Sequence, residues 1–306
     1  MIRNWRELTP EQRGAAVAVG AFDGVHRGHQ AVIASAREAA DRLGVPLGVV
    51  SFDPHPRRYF QPEAAPFRLM RPSQMARALE PLGVDFLYLI AFDAEMAAMS
   101  DEEFARRVLF QGLGIAHAAV GFDFTYGKGR SGSAEGLRKH GQQMGFSVSV
   151  SERLDDASGL KLSSSAVREA LKAGDMARAA DILSRPFAIE GTVIHGDKRG
   201  RTIGVPTANI AMGDYMRPAY GVYATRTRLE DGRVVNGVAN LGIRPMYEIE
   251  VPLLEVWLLD FDGSLYGQTV ETELVAFLRG EMKFDGLDEL KVQIEQDAAA
   301  ARALLG

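Results

Sequence analysis

The chain has no cysteine in its 306 residues. That excludes disulfide staples, thiolate nucleophiles and zinc–sulfur centres, and it suits a reducing compartment. A strong charge of either sign is also missing. Lys and Arg number 35 against 40 Asp and Glu, a formal net charge of −5 with a pI near 5.8. Such a balance offers no general attraction to nucleic acid or to an anionic membrane. Long apolar runs are absent as well, with nothing near the ~20 residues that cross a bilayer. The opening MIRNWRELTPEQRG lacks the apolar core of a secretory signal. The expectation is a cytoplasmic protein with neither membrane nor nucleic acid as partner.

What is present is ordinary globular material, 46% hydrophobic and 25% charged. A length of 306 residues suggests about two domains. In the first half, apolar strand-like runs alternate with helix-like runs. AAVAVGAF is followed by a helix from about Gly28 to Leu43, then VPLGVVSF, SQMARALEPLG, VDFLYLIAF, DEEFARRVLFQGLG, AHAAVGFDF and FSVSVSERL. Strands separated by helices of this length pair in parallel through right-handed crossovers. The pattern predicts an α/β, doubly wound domain with its ligands at the C-terminal ends of the strands. SSSAVREALKAGDMARAADILSR reads as helix, with Ser-rich capping and Pro186 as the break behind it. Beyond it, GTVIHG, GVYATRTRL, VVNGVANLG, PLLEVWLLDF and TVETELVAFL are short strands with turn residues between them, and no helix follows until about Leu287. That predicts a small antiparallel β-barrel with a terminal helix. The boundary falls near Arg185, dividing the chain into 1–184 and 185–306.

The strongest local signal is GAFDGVHRGHQ, at the end of the first strand. A strand that ends in glycine and opens a helix gathers free backbone N–H groups and the positive helix end at one point, where phosphate is attracted. His26 and His29 lie three apart on the first helical turn and share a face. Imidazoles there can donate hydrogen bonds to phosphoryl oxygens as charge builds up.

In the second half, HGDKRGRTIGVPTANI is a glycine-rich basic loop able to wrap a triphosphate. Gly196 and Gly200 would offer backbone amides, while Lys198, Arg199 and Arg201 would neutralise charge. An exposed basic turn would look much the same. Within PLLEVWLLDF, Glu255 is the one charge in the apolar run from Leu253 to Leu259. Burying an unpaired carboxylate costs several kcal/mol, on the order estimated for real proteins. A catalytic carboxylate therefore fits that position better than a structural one.

The stretch around His26 and His29 resembles the H-x-G-H signature of the nucleotidyltransferases. SFDPHPRRYF, GFDFTYGKGRSG and LSSSAVREAL extend the likeness to the bifunctional riboflavin kinase/FAD synthetase family over essentially the whole chain. The resemblance implies that His26 and His29 meet the ATP phosphates, with Gly24 and Gly28 permitting close approach. Ser163, Ser164 and Arg168 match the second ATP-phosphate motif, in which arginine balances the leaving pyrophosphate. Asp123 stands where the family places a polar residue beside FMN, and Phe60 and Tyr126 at aromatic positions suited to a flavin ring. Taken alone, Arg168 reads as a solvated helix arginine, and Phe60 and Tyr126 serve equally well as core residues. PTAN resembles the motif in which Thr207 and Asn209 hold nucleotide-bound Mg²⁺, both being hard oxygen ligands. Glu255 matches the general base and Arg279 a position near the flavin and phosphates. The closing helix has the family's L-x-x-Q-I-x-x-D pattern at Leu290, Gln293, Ile294 and Asp297.

Four positions depart from the pattern: Ser165 for Thr, Tyr126 for Phe, Trp257 for His and Met246 for Thr. The expected activity is conversion of riboflavin and ATP to FMN, then of FMN and ATP to FAD and pyrophosphate. The alternatives are retention of one activity only, a non-catalytic flavin-binding regulator, or adenylylation of another acceptor such as a pantetheine phosphate. The sequence is silent on protein partners.

Overall fold

The structure is a computed structural model. It describes residues 1–196, 205–246 and 249–306, and the side chains of 244–246 and 249–251 lie outside the description. Contacts divide the chain into two units, Met1–Ala65 with Pro72–Ser163, and Pro66–Arg71 with Ser164–Gly306.

The first unit is built on a five-stranded parallel sheet. Its strands are β1 (Ala16–Val19), β2 (Leu47–Asp53), β3 (Phe86–Ala91), β4 (His117–Gly121) and, after a small hairpin of β5 (Thr125–Tyr126) and β6 (Gly132–Ser133), β7 (Ser147–Ser151). The spatial order is β3-β2-β1-β4-β7. Strands covered on both faces need apolar residues throughout, and all four residues of β1 are buried. Strand order reverses at β1/β4, so the doubly wound expectation holds and the switch point lies at the end of β1.

Helix α1 (Arg27–Leu43) buries Val32, Ile33, Ala36, Ala39 and Ala40, a stripe at helical spacing. Gly44 stops it at φ +66°, a left-handed cap that glycine adopts without penalty. Further helices are α2 (Pro56–Phe60), α3 (Pro72–Leu79), α4 (Ala94–Ala98), α5 (Asp101–Glu103) and α6 (Ala134–Met144). α5 runs on as a π-helical segment, Phe104–Leu113. The sequence pattern did not signal α6, because only Ala134, Leu137 and Gly141 of its eleven residues are buried. Three small or single apolar positions leave no stripe to read.

The second unit opens with two helices, α7 (Ser164–Ala173) and α8 (Met176–Leu183), where one helical stretch was expected. Gly174 at φ +74° ends the first, and the Asp175 carboxylate caps the second by accepting from the Arg178 amide. Then come β8 (Phe187–Ile194), β9 (Ala208–Ala211), β10 (Gly221–Arg228), β11 (Val234–Met246), β12 (Ile249–Leu258), β13 (Thr269–Gly280) and α9 (Leu287–Leu305). The strands close an antiparallel barrel in the order β10-β11-β12-β9-β8-β13. Alternation sets Tyr223, Thr225 and Thr227 on one face of β10, all buried, and Val222 and Ala224 on the other. Val222 and Ala224 pack with Ala298, Ala301 and Leu305, so α9 covers part of the barrel's outer face.

The segment 66–71 belongs by contacts to this unit. The Arg68 amide donates to the Asp214 carbonyl at 3.1 Å, and the Met216 amide donates to the Arg68 carbonyl at 2.8 Å.

Candidate functional sites

At the end of β1 the chain makes a tight turn in which Phe22 (φ 48°), Gly24 (φ 95°) and Val25 (φ 44°) are all left-handed. For a bulky and a β-branched residue that conformation is strained, and such strain concentrates where a structure must aim a group. The buried Ser51 hydroxyl of β2 donates to the Ala21 carbonyl at 2.9 Å and fixes the turn from the neighbouring strand. The turn delivers His26 to the N-cap of α1. Its Nδ1 accepts the His29 amide at 3.3 Å. With Nδ1 accepting, a neutral ring carries its proton on Nε2. The His26 and His29 rings stack 3.6 Å apart, at 22°. Both therefore sit at the positive end of a 17-residue helix, as the sequence predicts.

Gly28 has a reason of its own. A Cβ there would lie 2.9 Å from the Leu162 carbonyl oxygen and 3.1 Å from the His26 ring. The chain just ahead of Ser163 thus crosses the first turn of α1, and the missing side chain makes room for it. Ser163 closes the first unit, whereas Ser164 and Arg168 lie on α7 in the second. Arg168 is not simply solvated: its Nε donates to the Phe67 carbonyl at 2.8 Å, with its guanidinium 5.4 Å from that ring's centre.

The flavin candidates separate. Phe60, at the end of α2, is 62% exposed and edge-on to Tyr59 and Phe92. Tyr126 is only 8% exposed, packed between Phe104 and Phe124. Burial pushes its phenol well above the ordinary value, and the nearby Asp101 carboxylate adds to the rise. One face stacks on Phe124 while Phe104 tilts against the ring, so the residue is part of the core cluster of this unit. Asp123 follows β4 and is paired with Lys161, whose ammonium also lies 4.7 Å from the centre of the exposed Phe122 ring. Phe122, Asp123 and Phe124 line an open cleft of about 400 Å³ together with Thr125 and Arg138. Sequence reasoning missed Lys161 and Phe122; the lysine two residues before the serine motif was the available signal.

In the barrel, strand register assembles the second site. Glu255 of β12 stands opposite Asn209 of β9 on one side and Asn240 of β11 on the other. Asn240 in turn faces Val222 of β10, and Val222 faces Arg279 of β13. Register partners project to the same side of a sheet. One row around the barrel therefore carries Asn209, Glu255, Asn240, Val222 and Arg279 on its outer face, the face that α9 covers in part at Val222. Glu255 is half-buried and Asn209 is 6% exposed. The Asn209 amide nitrogen donates to the Thr207 carbonyl at 3.4 Å. Gly196 gives this amide its space, since a Cβ there would lie 2.6 Å from it. Lys198, Arg199, Gly200 and Arg201 fall outside the described residues, as does the Met246 side chain. Trp257 lies on the Glu255 face and packs against the apolar cluster beneath α9.

Arg279 is held by α9. Its Nε and Nη2 bind Asp297 at 3.0 and 2.8 Å, and Gln293 donates to the same carboxylate at 3.0 Å. The Gln and Asp of the closing-helix pattern thus converge on one arginine.

The N-terminal half matches the family model described as FAD synthetase over residues 8–166, and the C-terminal half matches riboflavin kinase over residues 183–305. The class is a flavin-nucleotide-forming transferase with two domains on one chain. Proteins named bifunctional riboflavin kinase/FMN adenylyltransferase are similar along the full length. The one from Pseudomonas fluorescens is 43% identical, covering 99% of this chain and 97% of its own. The one from Escherichia coli K12 is 39% identical, covering 96% and 94%. The chain belongs to the bifunctional riboflavin kinase/FMN adenylyltransferase family. A crystal structure described as a macrolide-efflux protein from Streptococcus pneumoniae superposes with a TM-score of 0.86 at 30% identity, over 98% and 97% of the two chains. Among the described residues of the present chain, no helix is long and apolar enough to cross a membrane.

Proposed function

We propose that the barrel phosphorylates riboflavin with ATP and that the parallel-sheet unit adenylylates the resulting FMN, releasing pyrophosphate. The observation that carries this reading is the pairing in one chain of a histidine-capped helix at a switch point with a barrel row centred on Glu255. In the kinase step the Glu255 carboxylate takes the proton of the riboflavin 5′-hydroxyl as its oxygen attacks the γ-phosphate, and ADP leaves. In the adenylyl step an FMN phosphate oxygen attacks the α-phosphate. His26 and His29 donate to the phosphoryl oxygens, and Arg168 balances the pyrophosphate charge. Gly24, Gly28, Ser163, Ser164 and the loop at Gly196 serve the nucleotide phosphates. Phe60 and Asp123 serve the flavin, with Tyr126 as core support behind them.

Magnesium fits the donor set. Thr207 and Asn209 would hold it through oxygen, and it would neutralise charge on the nucleotide phosphates. The described residues hold no cluster of three or more His, Asp or Glu. That suits an ion retained largely by phosphate and water. The functional division is proposed near Arg185, where the riboflavin kinase match begins two residues earlier. The absence of cysteine supports a cytoplasmic setting.

Incubating the full chain with riboflavin, ATP and Mg²⁺ and separating the flavins tests both steps. FMN followed by FAD is expected. FMN alone reduces the reading to a kinase, and no product at all reduces it to a flavin-binding protein.

A further inference from the structure

Asn240 is assigned to neither transfer, yet it is the immediate cross-strand neighbour of Glu255. Facing partners on antiparallel strands have Cβ atoms about 4.5–5.5 Å apart, so one small molecule can touch both side chains. The two carboxamides flanking Glu255 differ. Asn209 is buried and turned onto the Thr207 carbonyl. Asn240 is half-buried, and its other neighbour in the row is the apolar Val222. No hydrogen bond of its side chain reaches a described residue. It is a donor and acceptor one strand away from the proposed base.

Resting on the kinase reading above, we propose that Asn240 binds the hydroxyl next to the one that is phosphorylated, so that this site recognises a vicinal diol at the end of the acceptor's polyol chain. A terminal alcohol is free to rotate, and a base alone does not fix its direction. Holding the adjacent hydroxyl at Asn240 removes that freedom and aims the terminal oxygen past Glu255. Positioning of this kind lowers a barrier without any change in the chemistry of the base.

The test compares riboflavin with its 4′-deoxy analogue as acceptors for the full-length chain and for Asn240→Ala, with Asn240→Ser as a second variant. Thermal unfolding checks the barrel. The parent chain should prefer riboflavin by roughly 10-fold or more in kcat/KM, the scale of one hydrogen bond whose partner is left unmade. Asn240→Ala should lose about that factor on riboflavin and nothing on the analogue, which erases the preference. Equal losses on both acceptors would make Asn240 a structural residue and overturn the proposal, as would unchanged kinetics on both. Glu255→Gln, assayed alongside, separates the two levels. If that variant remains a kinase, the base assignment itself has failed; if it is inactive while Asn240→Ala retains the preference, only the diol site has failed.

Discussion

Both halves of this chain handle ATP, yet they present opposite chemistry to it. The switch-point site offers donors and positive potential: a helix N-terminus and two stacked imidazoles. The barrel row offers a carboxylate between two carboxamides. On the proposed assignment of the two transfers to these sites, the nucleophiles account for the difference. FMN brings a phosphate that is already anionic, so its attack on the α-phosphate calls for charge neutralisation and no base. Riboflavin brings a neutral alcohol, whose proton must go somewhere as the bond to phosphorus forms. One site is therefore built from donors and the other around an acceptor.

The largest effect should come from removing that acceptor. Glu255→Gln keeps the shape and deletes the proposed base, and loss of a positioned base typically costs about 10²–10⁴-fold in rate. FMN formation should collapse while FAD formation from supplied FMN persists, as flavin chromatography would record. A kinase rate within a few-fold of the parent would erase the contrast between the two sites.

The mirror experiment removes a donor from the other site. His29→Ala should lower adenylylation by about 10²–10³-fold, the usual loss for one donor that acts on developing charge. Riboflavin should still be phosphorylated, so FMN accumulates. Output of FAD at the parental level would show that the turn after β1 is not the adenylylation site.

A smaller effect tests why the donor site can be so compact. Gly28→Ala would push a methyl against the Leu162 carbonyl oxygen at 2.9 Å and the His26 ring at 3.1 Å. Overpacking of this kind typically costs about 1–3 kcal/mol. Adenylylation should fall and the melting temperature should drop, while the kinase rate changes little. Equal losses in both activities would mean the glycine serves the chain as a whole.

The two sites were not equally legible in the sequence. The first is local, with a strand end, a turn and a helix start contiguous in GAFDGVHRGHQ, so its residue types spell out its geometry. Even so, nothing in the sequence marked Val25 as left-handed, because a β-branched residue enters that region only under tertiary constraint. The barrel site depends on register between strands far apart in sequence. Glu255 was visible as a lone charge in the apolar run from Leu253 to Leu259, but its juxtaposition with Asn240 was not, since pairing across a sheet leaves no mark in either strand alone. Arg279 illustrates the same limit: its partner Asp297 is eighteen residues away on a helix, and the packing of α9 against the barrel brings them together. Helix α6 escaped because it buries too little to show a period.

The smallest expected effect concerns Tyr126, where two aromatic roles were open. Its ring lies in the core between Phe104 and Phe124, and its hydroxyl is buried with no hydrogen-bond partner among the described residues. A buried hydroxyl without a partner retains its desolvation cost and gains nothing in return, a penalty of about 1–3 kcal/mol by mutational measures. Tyr126→Phe removes the oxygen and leaves the packing intact. The variant should unfold at the same or a slightly higher temperature and make FAD at the parental rate. A clear loss of FAD formation, with stability unchanged, would give the phenol a direct part in binding FMN. The first site would then rest on a specific side-chain contact to the flavin as well as on the charge complementarity that sets it apart from the barrel.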